Sequence, residues 1–296
     1  MLGILTHNIN KHATSDDRRF GDMTRFFTEC HLAAELRGIQ VFLFAPDDLN
    51  VRAKQITGWT RIKGHWKQCR FPLPNVIYNR ITSRRIEEQE TLQQKLQWLQ
   101  SRHRVQLFNE RFLDKWQVHR TVWNDSAIRF MLPYTQLYID LRQLKEMLKK
   151  FALIYIKPVN GSLGRGVMRL HLKGKHCHMQ YTTLNGTITK SNVSYQEIAQ
   201  QMARRIRHGR YLIQQGLPLI TSLGRPVEFR ALLQKNGSGK WSITSIVGRI
   251  AGDTHIVSNQ AHGGTVAGVT RIIAQVDPLC PKPSTRLLRQ RALQVA

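Results

Sequence analysis

The segment ALIYIKPVNGSLGRGVMRLHL, residues 152–172, predicts two β-strands joined by a glycine-rich loop. Apolar residues occupy strand positions on both sides of the loop, Lys157 closes the first strand, and glycines stand at 161, 164 and 166. Walker loops and dinucleotide-binding loops lead from a strand into a helix, and GSLGRG matches neither pattern. A glycine loop between two strands can instead cover phosphate groups, because its backbone N–H groups approach the oxygens closely.

An ordinary hairpin with a glycine-rich turn is the alternative, since glycine is common wherever φ is positive. Lys157 favours the anion-binding interpretation, because it lies within an otherwise apolar strand and an unpaired buried charge is costly. We therefore expect Lys157 to have an anionic partner, such as a phosphate group.

The composition indicates a globular protein with room for two or three domains, since the chain has 296 residues and is 41% hydrophobic. The sequence has no run of about 18 apolar residues and no basic N-terminus followed by an apolar core, so we predict neither a membrane span nor a signal peptide. The four cysteines lack C-x-x-C spacing. This favours a reducing, cytoplasmic environment and disfavours a cysteine zinc site.

The formal net charge of +26 predicts attraction to polyanions. The basic residues are spread along the whole chain in doublets such as Arg84-Arg85 and Arg204-Arg205. No helix-turn-helix, zinc-finger or RNP motif accompanies them. We expect binding to anionic polymers and no sequence-specific recognition of nucleic acid. A nucleic-acid binder is a third hypothesis, which is supported by charge alone.

The order of apolar segments predicts an α/β (α+β) protein with three parts. Residues 1–103 form a small α/β domain that opens β-α-β, with strands at 1–7, 39–46 and 74–81 and helices at 20–37 and after Ser83. Residues 104–210 hold a strand, a helix carrying Lys115, an amphipathic helix at 141–151 and the glycine loop. Residues 211–296 hold a strand broken at Gly216, followed by a hairpin with a turn at Asn236-Gly237.

Three histidines, His171, His176 and His178, alternate along one predicted strand face. No carboxylate lies nearby in the sequence, so exposed strand histidines are favoured over a metal site. On the later hairpin, alternation puts Glu228 and Arg230 on the same face, and Arg249 follows on the partner strand.

Seven segments in order resemble the YheC/YheD family of endospore coat-associated proteins, which are ATP-grasp proteins. The segments are DKWQVH, LPYT, IKPVNGSLGRGV, YLIQQGLPLI, EFRALLQKN, GKW and SNQAHGG. The resemblance covers roughly residues 75–266, with a looser match before that. The resemblance implies an ATP-grasp fold preceded by a small N-terminal α/β domain.

The resemblance also implies a role for each matching position. The positions that match nucleotide-binding residues are Lys115, Lys157, Gly161, Ser162, Gly164, Arg165, Gly166, Gln214, Gln215, Gly216 and Asn259. The lysines would hold phosphates, the glycine loop would cover the triphosphate, and the Gln-Gln-Gly segment would meet the adenine edge. Arg230 and Arg249 match catalytic positions near the γ-phosphate, where arginine neutralises developing charge. ATP is the implied cofactor.

Magnesium is where the sequence departs from the ATP-grasp pattern. Enzymes of this class hold Mg²⁺ with carboxylates, including a Glu-x-Asn pair near the C-terminus, because hard oxygen ligands bridge the ion to the phosphates. After Glu228 the sequence has only two acidic residues, Asp253 and Asp277, and it ends in the basic stretch PSTRLLRQRALQVA. We expect either a truncated chain or a divergent protein without catalysis, with Glu228 as a weak metal ligand.

Two functional hypotheses follow from the sequence. The first is an ATP-binding protein of the YheC/YheD type, resembling carboxylate–amine ligases, located in the cytoplasm or associated with the spore coat. The second is a non-catalytic basic protein that attaches to anionic polymers of spore layers or of the envelope. The acceptor substrate and the oligomeric state stay open.

Overall fold

A computed structural model describes residues 1–162, 164–183, 186–252 and 264–296 of the chain. The chain divides into two compact units, Met1–Leu113 and Asp114–Ala296. The division lies beyond the sequence-based boundary after residue 103, because the strand Gln106–Phe108 pairs with Val76–Asn79 of the first unit. The finer boundary after residue 210 stays a prediction.

The first unit alternates short strands and helices. Its strands are β1 (Leu2–Leu5), β2 (Val41–Phe44), β3 (Leu49–Asn50), β4 (Gln55–Ile62), β5 (His65–Pro72), β6 (Val76–Asn79) and β7 (Gln106–Phe108). Its helices are α1 (Thr24–Glu35), α2 (Arg84–Glu87) and α3 (Glu90–His103). Strands β2, β1, β6 and β7 run parallel in that order, which confirms the predicted β-α-β opening.

Antiparallel strands β4 and β5 are the part of this unit that the sequence analysis missed. They pair along their whole length, and β4 joins the edge of the sheet through β2 and β3. Trp66 lies between His65 and Lys67, and Trp59 lies between Gly58 and Thr60. Both tryptophan rings are buried in one cluster with Phe20 and Phe27. Burial of such large rings stabilises the hairpin although its sequence is strongly basic.

The second unit begins with helix α4 (Lys115–Trp123) and contains two sheets. Its other helices are α5 (Leu141–Phe151), α6 (Tyr195–Ile206), α7 (Val269–Ala274) and α8 (Thr285–Val295). The first sheet contains β8 (Thr135–Leu137), β9 (Leu153–Pro158), β10 (Met168–Lys173), β11 (His176–Thr183), β12 (Gly186–Lys190) and β13 (Tyr211–Gln215). The second sheet contains β14 (Thr221–Ser222), β15 (Arg225–Lys235), β16 (Trp241–Ile250) and β17 (Thr265–Gly268).

The first of these sheets has the order β12-β11-β10-β9-β13-β8. Helices α5 and α6 cover one of its faces, where Leu144, Met147 and Ile198 pack against Ile154 and Ile156. Side chains alternate across a strand, so the neighbouring residues of β9 point to the other face. The predicted strand–loop–strand arrangement around the glycines is confirmed, and Lys157 lies on that second face.

Both helices have sequence signals that explain where they start. The Asp140 carboxylate accepts a 2.8 Å hydrogen bond from the Gln143 N–H at the start of α5. At the start of α6, Ser194 and Glu197 form a reciprocal capping box. These contacts satisfy backbone N–H groups that lack partners within a helix, so both helices begin at defined residues.

The second sheet has the order β14-β15-β16-β17, with the predicted β15–β16 hairpin at its centre. Asp277, which follows α7, connects to the turn between β14 and β15. Its carboxylate accepts hydrogen bonds from the Thr221 hydroxyl at 2.5 Å, the Leu223 N–H at 2.6 Å and the Gly224 N–H at 3.0 Å. These bonds lower the pKa of Asp277 below its ordinary value, and the bond from Thr221 contributes most.

We predict that Asp277→Asn lowers the melting temperature at neutral pH, because an amide cannot accept the same three hydrogen bonds. The folded-state pKa lies below the ordinary 3.8, so this contribution is complete above pH 3.8 and is lost as the pH falls through the folded-state pKa. A pH series of thermal unfolding should therefore show the difference between wild type and variant shrinking in acid. Glu110→Gln, at an exposed site, is the control, and a difference that is independent of pH would contradict the assignment.

Candidate functional site

A cavity of about 620 Å³ lies within the second unit. It is lined by residues of both sheets of that unit, of α4 and of the glycine loop. Those matching the sequence-predicted site are Lys115, Lys157, Gly161, Ser162, Gly164, Arg165, Gln214, Gln215, Glu228, Arg230 and Arg249. The structure therefore brings together residues that are up to 134 positions apart in the sequence, from 115 to 249.

Lys157 is a cation of this cavity whose pKa is lowered by its surroundings. Its ammonium donates a 2.7 Å hydrogen bond to Gln214 Oε1 and lies 5.3 Å from the centre of the Tyr155 ring. Burial lowers the pKa of Lys157, the charge of Lys115 lowers it further, and Glu228 opposes this effect. A lysine under these influences gains more from a nearby anion than an exposed lysine does.

The orientation of Gln214 follows from its neighbours. Thr135 Oγ1 donates to the Pro133 carbonyl at 2.9 Å, so it accepts from Gln214 Nε2, also at 2.9 Å. The amide oxygen of Gln214 consequently points toward Lys157, which can only donate. Sequence analysis placed Gln214 at an adenine-contacting connector, and the structure gives it this additional contact with the lysine.

Lys115 is the first residue of α4, as the sequence predicted. The Asp114 side chain caps the helix by accepting from the Gln117 N–H at 2.6 Å. The Lys115 ammonium donates to the carbonyls of Pro158 at 3.0 Å and Gly161 at 2.7 Å. It therefore connects the end of β9 to the start of the glycine loop.

The glycine loop is anchored at its far end to β11. The Thr182 hydroxyl donates to the Gly164 carbonyl at 2.8 Å and lies 3.2 Å from the Val167 N–H. Gly166 has a φ of +71°, and a Cβ at this position would come within 3.3 Å of the Tyr211 hydroxyl. Both the backbone conformation and the close ring explain why glycine stands there. Ser162 and Arg165 lie in the loop between these anchors and are exposed.

Glu228 and two arginines face the cavity from the second sheet. Glu228 pairs across the strands with Arg249 in the β15–β16 register. Its Oε1 lies 3.0 Å from Arg230 Nε and 3.9 Å from Arg249 Nη1. Arg249 Nε is buried without a hydrogen-bond partner among the described residues. Among the described residues, the two arginines thus share one carboxylate.

A triphosphate fits this donor set, whereas a magnesium ion fits it poorly. Lys115, Lys157 and the two arginines supply positive charge, and the unpaired Arg249 Nε is a donor still available to an oxygen. Glu228 is the single carboxylate lining the cavity among the described residues, and it already contacts Arg230. No group of three potential metal ligands occurs in the part of the chain that the structure describes.

Two other candidates of the sequence analysis have different outcomes. Asp277, one of the two acidic residues after Glu228, is engaged by the β14–β15 turn and does not line the cavity. Asn259 lies outside the described residues, as does Asp253.

Gln215 ends β13, and Gly216 begins the connector that follows it. The Gly216 N–H donates to the Leu153 carbonyl at 2.8 Å, and a Cβ built on Gly216 would overlap the Leu153 side chain. Gln215 Oε1 accepts from the Tyr134 N–H at 3.1 Å. Glycine is needed at position 216 because the connector passes close to Leu153. The backbone hydrogen bond to Leu153 holds the connector at the edge of the cavity.

Three residues of the site were missed by sequence analysis: Thr135, Tyr155 and Thr182. Tyr155 shares a strand face with Lys157 at a spacing of two residues, so the strand period could have identified it. Thr135 and Thr182 act through side-chain hydrogen bonds across strands. No sequence pattern within either segment indicates such partners.

Comparison with known proteins agrees with this geometry. The sequence profile of the YheC/D-like ATP-grasp family matches residues 104–296, about two thirds of the chain. The chain belongs to the YheC/D-like ATP-grasp family. The resemblance found in the sequence is therefore confirmed, and the matched region includes every residue assigned to the cavity above.

Two curated relatives come from Bacillus subtilis (strain 168). The endospore coat-associated protein YheD is 30% identical over 275 residues, which cover 92% of this chain and 60% of that protein. The endospore coat-associated protein YheC is 24% identical over 201 residues, covering 68% of this chain and 54% of that protein. The chain thus spans somewhat more than half the length of the curated relatives that it matches.

A solved structure with a similar fold is D-alanyl-alanine synthetase A from Vibrio cholerae O1 biovar eltor. It superposes with a TM-score of 0.53 at 10% identity and covers 99% of this chain and 79% of that one. At this identity the similarity concerns the fold alone, and it confirms the predicted mixed α/β class with an ATP-grasp fold. In the described part of this family member, no helix has the length and apolar character needed to cross a membrane.

We predict that Gly216→Ala destabilises the protein by about 1–3 kcal/mol, because the added methyl group overlaps Leu153. The double variant Leu153→Ala/Gly216→Ala should recover part of the loss, which a double-mutant cycle of denaturant unfolding measures. Gly237→Ala is the control, since an added Cβ there meets nothing within 4 Å. Additive effects of the two substitutions would show that the two residues do not compete for the same space.

Proposed function

We propose that this YheC/D-like protein binds ATP in the cavity and acts as a carboxylate–amine ligase-like enzyme associated with the spore coat. The observation that carries the proposal is the convergence of Lys115, Lys157, Arg230 and Arg249 around one cavity of about 620 Å³. That volume falls in the range of small-molecule sites. The names of the curated relatives support the association with the spore coat.

The charges assign parts of the nucleotide to parts of the cavity. Lys115 and Lys157 lie beside the start of the glycine loop, where they would neutralise phosphate oxygens. Arg230 and Arg249 come from the opposite sheet and would neutralise charge on the transferred phosphoryl group. ATP supplies the energy that activates a carboxylate toward attack by an amine.

The base would lie toward the connector after β13. Leu217, Leu219 and Val227 supply apolar lining there, which suits a planar base. Gln214 Oε1 faces the cavity side of β13 and accepts hydrogen bonds, so an exocyclic amino group is the complementary donor. Gln215 and Gly216 contribute backbone at the same edge.

Magnesium would bind together with the nucleotide, because the described residues do not form a preformed set of metal ligands. Glu228 would be the protein ligand within the described residues, in competition with Arg230 at 3.0 Å. This competition predicts weak binding of the free ion, because two neighbouring guanidinium groups repel a divalent cation.

A second candidate function is a non-catalytic protein that attaches to anionic polymers. The formal net charge of +26 favours it, as does the presence of a single carboxylate, Glu228, among the described residues that line the cavity. In that case the protein would bind polyanions with steep dependence on salt and would not turn over ATP.

We expect a non-hydrolysable ATP analogue with Mg²⁺ to raise the melting temperature by about 5–10 °C at a hundredfold excess over Kd. Lys157→Ala should abolish the shift, because it removes the half-buried ammonium that would contact the phosphates. Lys149→Ala removes the same charge from an exposed position on α5 and should keep the shift. No shift with the intact protein would reject the nucleotide proposal and favour the polyanion-binding alternative.

We also expect nucleotide affinity to fall as the pH rises toward the ordinary lysine pKa of 10.5. The pKa of Lys157 is lowered in the free protein, and a bound triphosphate favours the charged form, so binding takes up a proton in that range. Calorimetry in buffers of different ionisation enthalpy measures this uptake. Lys157→Arg stays charged throughout and should lose the proton linkage, so uptake that persists in this variant would contradict the assignment to Lys157.

A further inference from the structure

A long stretch of the second unit contains no carboxylate. Residues 147–196 have no Asp or Glu, but they contain eight Lys or Arg residues and three His residues. This stretch supplies β9, β10, β11 and β12 of the first sheet of that unit. A sheet built from it carries positive charge that its own residues do not neutralise.

Strand register gathers two of these cations, Arg169 and Lys173, and all three histidines on one face. His171 lies directly opposite His178, and Lys173 lies opposite His176, in the antiparallel pair of β10 and β11. Arg169 lies two residues before His171 on the same strand, so it shares their face. We define the cationic face as Arg169, His171, Lys173, His176 and His178.

The cationic face is on the side of the sheet away from the helices. Met168, Leu170 and Cys177, which alternate with its residues, are buried in the core beneath α5 and α6. The residues of the face itself are half-buried or exposed. They are therefore accessible to a partner in this unit.

Positive charge on this face lacks compensation within the described residues. Of the eight Lys and Arg residues in the stretch, Lys190 alone forms a salt bridge with a carboxylate there, to Glu197 at 3.8 Å. Arg169 hydrogen-bonds to Gln180, a neutral side chain. Desolvation lowers the pKa of His171, and the charges of Arg169 and Lys173 lower it further.

The cationic face continues into the cavity. Arg169 pairs with Tyr155 across β9 and β10, and Tyr155 lines the cavity beside Lys157. Lys157 is therefore the diagonal neighbour of Arg169, and such neighbours on adjacent antiparallel strands typically lie about 7–8 Å apart. A chain lying on the face could therefore present a side chain to the cavity.

Spacing along the strand favours a polypeptide as the partner. Arg169, His171 and Lys173 alternate along β10, so they repeat at about 6.6 Å, twice the rise per strand residue. An extended polypeptide with an acidic residue at every second position has the same repeat. Carboxylates also match the planar donors of arginine and imidazole.

We propose that the cationic face is the docking surface for an acidic polypeptide, which is the acceptor that enters the cavity. The docking surface is Arg169, His171, Lys173, His176 and His178, and the partner is an extended chain rich in glutamate or aspartate. The identification of this chain as the acceptor rests on the ligase-like function proposed above, whereas the docking itself does not.

The test measures binding of fluorescein-labelled poly-L-glutamate to the full chain by fluorescence anisotropy at low ionic strength. Arg169→Glu/Lys173→Glu should weaken binding by about tenfold or more, because two favourable charge contacts become repulsive. Arg286→Glu/Arg289→Glu makes the same change in net charge at exposed positions of α8 and should change binding less than about twofold. Arg169→Gln/Lys173→Gln, a milder pair, should give an intermediate loss and guards against misfolding.

Three outcomes would overturn the proposal. Equal losses in the two charge-reversal variants would mean that net charge alone attracts the polymer. Failure of poly-L-glutamate to bind would mean that the face is only a solvated surface. Polyphosphate or single-stranded DNA binding as tightly as poly-L-glutamate, with the same sensitivity to Arg169 and Lys173, would assign the face to phosphate polymers instead.

Failure of docking is distinguishable from failure of nucleotide binding. The thermal shift with the ATP analogue should be unchanged in Arg169→Glu/Lys173→Glu, since neither residue lines the cavity. Loss of polyglutamate binding with an intact nucleotide shift supports the cationic face. An absent nucleotide shift with intact polyglutamate binding would reject the nucleotide proposal alone and keep the docking surface.

Discussion

Burial of the Lys157 ammonium is the constraint on which the candidate site depends. A charged group removed from water needs partners, and Gln214 provides one oxygen that is oriented by Thr135. These three side chains come from β9, β13 and β8, which are neighbours in the sheet. The strand order therefore determines the environment of the lysine, and the lysine in turn explains why polar side chains occupy these positions.

Several positive charges lie around the cavity, and their mutual repulsion favours the binding of an anion. Lys115 and Lys157 approach from α4 and the first sheet, and the two arginines beside Glu228 approach from the second sheet. Among the described residues, Glu228 is the one carboxylate lining the cavity beside Lys157 and the two arginines, and these like charges repel one another. An anion would relieve that repulsion, which is the physical reason that a polyphosphate is a suitable ligand. The small number of carboxylates among the described lining residues disfavours a tightly held metal.

The two glycine positions that matter most have different physical reasons. Gly166 adopts a φ of +71°, which L-residues rarely tolerate, and its loop is held by Thr182. Gly216 needs no special dihedral angles, but a Cβ there would overlap Leu153. Glycine in the loop thus permits a backbone conformation, whereas glycine after β13 permits two backbones to approach.

Much of this arrangement could be predicted from local pattern. Alternating apolar residues identified β9 and β10, the lysine within β9 indicated an anion site, and helical periodicity located α5. These features depend on residues close together in the sequence, where strand and helix periods apply. The β4–β5 hairpin was missed because its charged residues obscure Trp59 and Trp66, whose burial depends on distant phenylalanines.

The sequence by itself determined that a glycine loop between two strands carries Lys157, that Lys115 starts a helix, and that Glu228 and Arg230 share a strand face. Only the tertiary structure decided that Gln214 turns its oxygen toward Lys157, that Arg249 lies opposite Glu228, and that Asp277 is used by a turn. Such contacts join residues far apart in the chain. Their partners depend on sheet order and register, which arise from the packing of the whole unit and not from any local period.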